Sequence, residues 1–187
     1  MKNIAIFASG DGSNAEAIVK HFANSNTACV KVVLSNRQKA GVHDRIKALG
    51  IPTLTFSKDE WKDCSKILST LQKNDIDLIV LAGFLCMIEA PLIEAYKGKI
   101  INIHPSLLPK YGGAGMWGHH VHQAVITAGE KESGITIHHV TQEVDGGEII
   151  FQASCEVKPN DTAEALASRI HLLEHKHYPF IIEQLLK

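Results

Sequence analysis

Two groups of side chains in this sequence have types and spacing that suit acyl chemistry. The first is the octapeptide Asn102-Ile103-His104-Pro105-Ser106-Leu107-Leu108-Pro109, which continues the apolar pair Ile100-Ile101. Residues two apart in an extended chain point the same way, so Asn102 and His104 share one side of a strand end. A neutral amide donor beside a group that exchanges a proton near neutral pH can stabilise an oxyanion and assist acyl transfer. The second is Asp145 in Asp145-Gly146-Gly147. Acyl transfer to an amine needs a donor for the developing oxyanion, a route for the amine proton, and an acid that fixes the orientation and charge of the histidine. Asn102, His104 and Asp145 can fill those places. Each also has a plainer reading, since a histidine before a proline is often structural and Asp-Gly between apolar runs commonly makes a hairpin turn.

A third stretch, Ser9-Gly10-Asp11-Gly12-Ser13-Asn14, follows the first apolar run and can present backbone amides and a helix N-terminus to a phosphate. Gly10, Gly12 and Ala15 also satisfy the dinucleotide pattern G-x-G-x-x-A. That pattern needs a carboxylate after the second strand to hold a ribose, and Leu34-Ser35-Asn36-Arg37 offers none, so a phosphomonoester is the better ligand. The apolar turn Gly83-Phe84-Leu85-Cys86-Met87-Ile88 can wall a slot for a flat heterocycle or serve as a buried strand-to-helix junction. His119, His120 and His122 lack a nearby carboxylate or cysteine and read as hydrogen-bonded or solvated side chains, with no metal expected. His171 and His175 stand one helical turn apart around Glu174, which reads as a polar helix face near a substrate.

The elements that must position these groups follow from hydrophobic patterning. Short apolar runs at Ile4–Ala8, Cys29–Leu34, Thr53–Phe56, Leu78–Ala82 and Ile100–Ile103 predict buried strands. Helical spacing appears at Ala15–Phe22, Val42–Leu49, Trp61–Leu71 and Pro91–Tyr96. Ser13 with Glu16 and Ser57 with Glu60 have capping-box spacing. Alternating strands and helices imply an α/β fold, a Rossmann-like, mostly parallel sheet with helices on both faces. Beyond a glycine-rich stretch at Lys110–Gly118, a helix is predicted at Val121–Ala128 and strands at Gly134–Val140 and Glu148–Val157, an antiparallel addition. A long helix at Thr162–Leu186 closes the pattern. Four glycines at 112, 113, 115 and 118 make the intervening loop a candidate lid.

Composition limits the function classes. The 187 residues are 45% apolar and 21% charged, which suits a single domain spanning 1–187. Nineteen basic residues against twenty acidic ones create no field for nucleic acid or an anionic membrane, so small-molecule partners are expected. Four dispersed cysteines without a C-x-x-C pair fit reduced thiols in the cytoplasm. The sequence leaves monomer and homodimer both open.

The octapeptide from Asn102 to Pro109 resembles the formyltransferases that use 10-formyltetrahydrofolate. The Gly10–Asn14 turn, Ala82-Gly83-Phe84, Asp145-Gly146-Gly147 and Glu174-His175-Lys176-His177-Tyr178-Pro179 are similar to the branch of that family acting on glycinamide ribonucleotide. This resemblance implies a formyltransferase fold and transfer of a formyl group from folate to the amine of that ribonucleotide in purine biosynthesis. It implies that Gly12, Ser13 and Asn14 hold the phosphate and that Glu174 approaches the ribose. It implies that Leu85, Cys86, Met87, Ile88, Asn102, Thr141, Gln142 and Glu143 bind folate, with Asn102, His104 and Asp145 catalytic. Cys86 stands where some relatives carry arginine, and the Gly112–Gly118 loop is longer than in relatives. Rival readings are a tRNA-directed formyltransferase or a formyltetrahydrofolate hydrolase, each expected to carry a further domain, and a non-catalytic phosphate-binding module.

Overall fold

In the computed structural model, which describes residues 1–187, the five apolar runs form parallel strands. These are β1 (Lys2–Phe7), β2 (Ala28–Ser35), β3 (Thr53–Thr55), β4 (Leu78–Leu81) and β5 (Ile100–His104), joined in the spatial order β3-β2-β1-β4-β5. Two further strands, β6 (Glu132–His139) and β7 (Ile149–Glu156), extend the sheet antiparallel beyond β5. The order reverses between β1 and β4. Loops leaving those two strands therefore diverge to opposite sides and open a crevice at the carboxyl edge, where ligands of such sheets bind.

Burial on both faces explains the continuous apolar strands. In β1, Ile4 and Ile6 enter one core while Ala5 and Phe7 enter the other. The first core lies beneath α1 (Ser13–Phe22), α2 (Val42–Lys47), α6 (His119–Thr127) and α7 (Ala163–Leu185). The second lies beneath α3 (Lys58–Asp63), α4 (Ser65–Lys73) and α5 (Ala90–Ala95). Each fully buried Ile, Leu or Phe contributes about 1.5–3 kcal/mol by leaving water. Buried Tyr178 of α7 donates its hydroxyl to the Leu81 carbonyl at 3.0 Å, which ties the longest helix to the end of β4. No helix is long and apolar enough to cross a membrane.

Three sequence expectations need correction. The Ser57–Glu60 capping box forms, with both reciprocal bonds present, but the Ser13–Glu16 box does not. Gly12 is the cap of α1, in the left-handed region at φ 84°, and Ser13 is already helical. Glu16 instead pairs with Lys20 and Arg45. The helix predicted over Trp61–Leu71 breaks into α3 and α4 at Cys64, whose φ is 60°. The break lets Trp61 pack on Phe7 while Ile67 and Leu71 reach the same core from a second axis. Helix α2 stops at Lys47 because the chain turns at Gly50, where φ is 74°.

The turn from β1 into α1 is sterically closed. A Cβ at residue 12 would stand 2.6 Å from Val42 Cγ2, in a backbone conformation that L side chains rarely adopt. Gly12→Ala combines left-handed strain with overpacking and is expected to cost about 2 kcal/mol or more. Urea unfolding checks this, and an unchanged midpoint would refute it.

Candidate active site

The first wall of the site is the turn after β1. The first helical bond of α1 runs from Glu16 N–H to the Gly12 carbonyl, so the amides of Ser13, Asn14 and Ala15 precede the ladder and face the helix N-terminus. Their partial positive charge favours an anion. Arg45 braces the turn from behind, binding the Asp11 carbonyl at 3.0 Å and the Asp11 and Glu16 carboxylates. Those carboxylates raise the Arg45 pKa, the Asp11 hydrogen bond being the larger cause. Asn14 Nδ2 donates to Glu174 Oε2 at 2.8 Å.

Glu174 departs from the expected polar helix face. It is 5% exposed and turned inward, where the same Oε2 also meets His171 Nδ1 at 2.7 Å. That hydrogen bond raises the His171 pKa against the opposing effect of burial. His175 stacks on His171 and does not share in binding Glu174. A carboxylate anchored to the turn after β1 can accept hydrogen bonds from hydroxyl groups of a ligand held there.

The second wall is the loop after β4. Leu85 and Met87 are exposed, whereas Phe84 packs on Trp61 beneath them. Sequence reasoning missed the two residues that hold this loop. Ser9 Oγ accepts from Leu85 N–H at 2.8 Å and donates to Asn36 Oδ1 at 2.6 Å. Asn36 Nδ2 in turn donates to Cys86 Sγ at 2.9 Å. The polar pair Ser35-Asn36, noted only for lacking a carboxylate, was the available signal. Opposite stands the β6–β7 loop, where Thr141, Gln142, Glu143 and Val144 are all exposed and Thr141 Oγ1 donates to the Glu143 carbonyl. Exposed Leu85, Met87 and Val144 give these loops apolar surface suited to a flat heterocycle.

At the end of β5, His104 is 4% exposed and its Nε2 lies 2.7 Å from the Tyr111 carbonyl. A carbonyl only accepts, so Nε2 carries the proton and Nδ1 faces Asp145 Oδ2 at 3.5 Å. Burial lowers the His104 pKa, against the opposing effects of Asp145 and the Tyr111 carbonyl. Burial by itself would raise the Asp145 pKa, but the neighbouring His138 imidazole, the Gly113 N–H and the His104 imidazole together hold it below the usual carboxylate value. Gly113 N–H donates to Asp145 Oδ2 at 2.9 Å, so the glycine-rich loop contacts both catalytic candidates. Asp145 is not a two-residue hairpin turn. It sits at φ 53° within the longer Val140–Glu148 connection, in which a Cβ at Gly147 would collide with the His139 carbonyl.

Asn102 does not touch His104 or Asp145 directly. Its Nδ2 lies 3.2 Å from Nε2 of His138, which pairs opposite Asn102 across β5 and β6. His138 Nε2 is also 3.6 Å from Asp145 Oδ1. Sequence reasoning missed His138, and period two along Thr136-Ile137-His138 with strand pairing was the only signal for it. Thr136 anchors the octapeptide, donating to the Ser106 carbonyl and accepting from Leu108 N–H. The other histidines diverge: His119 and His120 are exposed, whereas His122 is buried with Nδ1 unpartnered. No group of three or more His, Cys, Asp or Glu side chains is arranged to hold a metal.

A doubly wound sheet with an open helix N-terminus after β1, and with an amide, an imidazole and a carboxylate gathered near the end of β5, suits a transferase of small acyl groups. The chain belongs to the formyl transferase family, whose profile matches residues 2–182. It is 41% identical to the phosphoribosylglycinamide formyltransferase of Bacillus subtilis over 191 aligned residues, covering 100% of this chain and 95% of that one. The structure of the enzyme of the same name from Streptococcus pneumoniae has a TM-score of 0.89 at 36% identity, with 100% of both chains covered. That from Anaplasma phagocytophilum has a TM-score of 0.91 at 37% identity, covering 99% of this chain and 87% of that one.

Burial pushes the His122 pKa from 6.5 to about 4, despite the opposing charge of Glu174. The unfolded chain therefore binds this proton more readily. The stability held above pH 6.5 is lost as pH falls toward 4, by on the order of 3 kcal/mol. His122→Gln is expected to flatten the fall in melting temperature across that window, and a slope equal to that of the parent chain would contradict the assignment.

Proposed function

We propose that this protein is a phosphoribosylglycinamide formyltransferase, moving a formyl group from 10-formyltetrahydrofolate to the amine of glycinamide ribonucleotide in purine biosynthesis. The observation that carries the site assignment is the convergence of Asn102, His104 and Asp145 at the same sheet edge as the phosphate turn. The Ser13 and Asn14 amides, with Gly12 shaping the turn, hold the substrate phosphate, and Glu174 binds its ribose. Folate lies between Leu85, Cys86, Met87 and Ile88 on one side and Thr141, Gln142 and Glu143 on the other, with Asn102 at its reactive end.

In the transfer step the amine nitrogen attacks the formyl carbon, and the carbonyl π electrons move onto oxygen. Asn102 Nδ2–H and His104 Nε2–H, the latter released from the Tyr111 carbonyl, donate to that oxyanion. Asp145 faces Nδ1 and favours the imidazolium that burial opposes. The amine proton passes by way of Asp145 to the folate nitrogen as the carbon–nitrogen bond to folate breaks, giving the formylated ribonucleotide and tetrahydrofolate.

Residues 1–187 act in this reading as one catalytic domain, as a monomer or homodimer whose partners are the ribonucleotide and folate. The net charge of −1 supports small-molecule partners over nucleic acid or a membrane surface. The thiols of Cys64 and Cys86 are engaged in hydrogen bonds that a reducing cytoplasm preserves.

An assay supplying 10-formyltetrahydrofolate with glycinamide ribonucleotide, initiator tRNA or water as acceptor tests the function directly, and formylated tRNA as the main product would refute it. Asn102→Ala is expected to lower kcat by about 10²–10³ with small changes in KM. His104→Ala and Asp145→Asn should do the same, and the His104→Ala/Asp145→Asn double variant should lose less than the two combined. A folded Asp145→Asn protein with near-normal single-turnover rate would remove Asp145 from the mechanism. Ser13→Asp sets like charge against the phosphate and should raise KM for the ribonucleotide alone. A rise confined to the folate KM would place the phosphate elsewhere.

A further inference from the structure

A neutral primary amide can donate to an oxyanion only if its nitrogen faces the reacting centre. The two ends of the Asn102 amide are nearly alike in shape, so an electrostatic partner must choose between them. His138 is 2% exposed and faces Asn102 from the adjacent strand. Its Nδ1 lies 2.9 Å from the His139 carbonyl, which only accepts, so Nδ1 carries the proton. In neutral His138 the remaining nitrogen, Nε2, therefore offers a lone pair 3.2 Å from Asn102. An amide oxygen turned toward that lone pair would be repelled, whereas an amide nitrogen is bound.

We propose that His138 is a positioning residue for the transfer step: its Nε2 lone pair fixes the Asn102 amide nitrogen, leaving the second Nδ2–H for the reacting carbonyl oxygen. This rests on the formyl-transfer reading above. Asp145 Oδ1 stands 3.6 Å from the same nitrogen, beyond hydrogen-bond distance, while Oδ2 accepts from the Gly113 amide and faces His104. A doubly protonated His138 would reverse this. Its Nε2–H would bind the carboxylate, and Asn102 would lose the acceptor that sets its orientation.

The test uses the full chain with His138→Leu, which removes the acceptor, and His138→Gln, whose Oε1 restores one. The side-chain amide signals of Asn102, identified by their loss in Asn102→Ala, should be split by one bonded proton in the parent chain. That splitting should collapse in His138→Leu and return in His138→Gln. Misplacing a reacting donor costs on the order of 10²-fold, so His138→Leu should lose that much kcat with KM for either substrate little changed. His138→Gln should recover roughly tenfold of it. In the double variant Asn102→Ala/His138→Leu, kcat should match Asn102→Ala alone, because His138 acts through that amide. A purely structural role predicts multiplied losses and no rescue by glutamine, and either result overturns the proposal, as does unchanged amide splitting in His138→Leu. A parent chain that shows the splitting but transfers no formyl group would defeat the functional reading while leaving the positioning intact.

Discussion

The Asp145 carboxylate, only 12% exposed and set between two imidazoles, is the constraint on which the rest of the site depends. A buried carboxylate is costly unless charge and hydrogen bonds surround it. Here its surroundings come from three elements far apart in the chain: the Gly113 amide in the glycine-rich loop, which donates to it, and the imidazoles of His104 at the end of β5 and His138 on β6. Its left-handed backbone and the close approach of Gly147 to the β6 carbonyls aim it inward. Separating any one of these elements would leave a charge in a dry corner, so the site holds its three supports together as much as they hold it.

The antiparallel pair gives this carboxylate its surroundings. A sixth parallel strand would require a crossover connection and would lead the chain away from the carboxyl edge. Strand β6 instead runs back beside β5 in a register that sets His138 opposite Asn102 and Thr136 opposite His104. Gln152 of β7 then reaches across to Thr136 and the Leu108 carbonyl, closing a hydrogen-bond network that fixes the octapeptide.

At the other end of the crevice the structural problem is opposite in sign. The turn after β1 points its first helical amides outward, which favours an anion, while its own Asp11 carries negative charge. Arg45 offsets that charge and ties the turn to α2. Ser9 carries the same support sideways, linking the turn after β1 to the loop after β4 through Leu85 and Asn36. The two loops leave adjacent strands and are joined by the Ser9–Leu85 hydrogen bond, so the two walls flank one crevice at the same edge.

The strand set and the strand-end motifs were legible because both depend on local pattern: five apolar runs long enough to be buried on both faces, each followed by unusual residues. Asn102, His104 and Asp145 could be named for the same reason, their residue types standing out at strand ends. Local pattern misled where a tertiary contact was stronger. Ser13 lost its capping role because α1 begins one residue earlier, at a Gly12 cap closed in by Val42, and the 61–71 helix broke so that both halves could reach one core. Glu174, flanked by histidines on an amphipathic helix, turned inward because Asn14 from a helix 160 residues earlier met it there. His138, Ser9 and Asn36 act only through strand pairing and loop contact. A sequence records which side chains are available for such contacts, but the sheet order and register decide which of them meet, because those pairings depend on long-range burial that no neighbouring residue encodes.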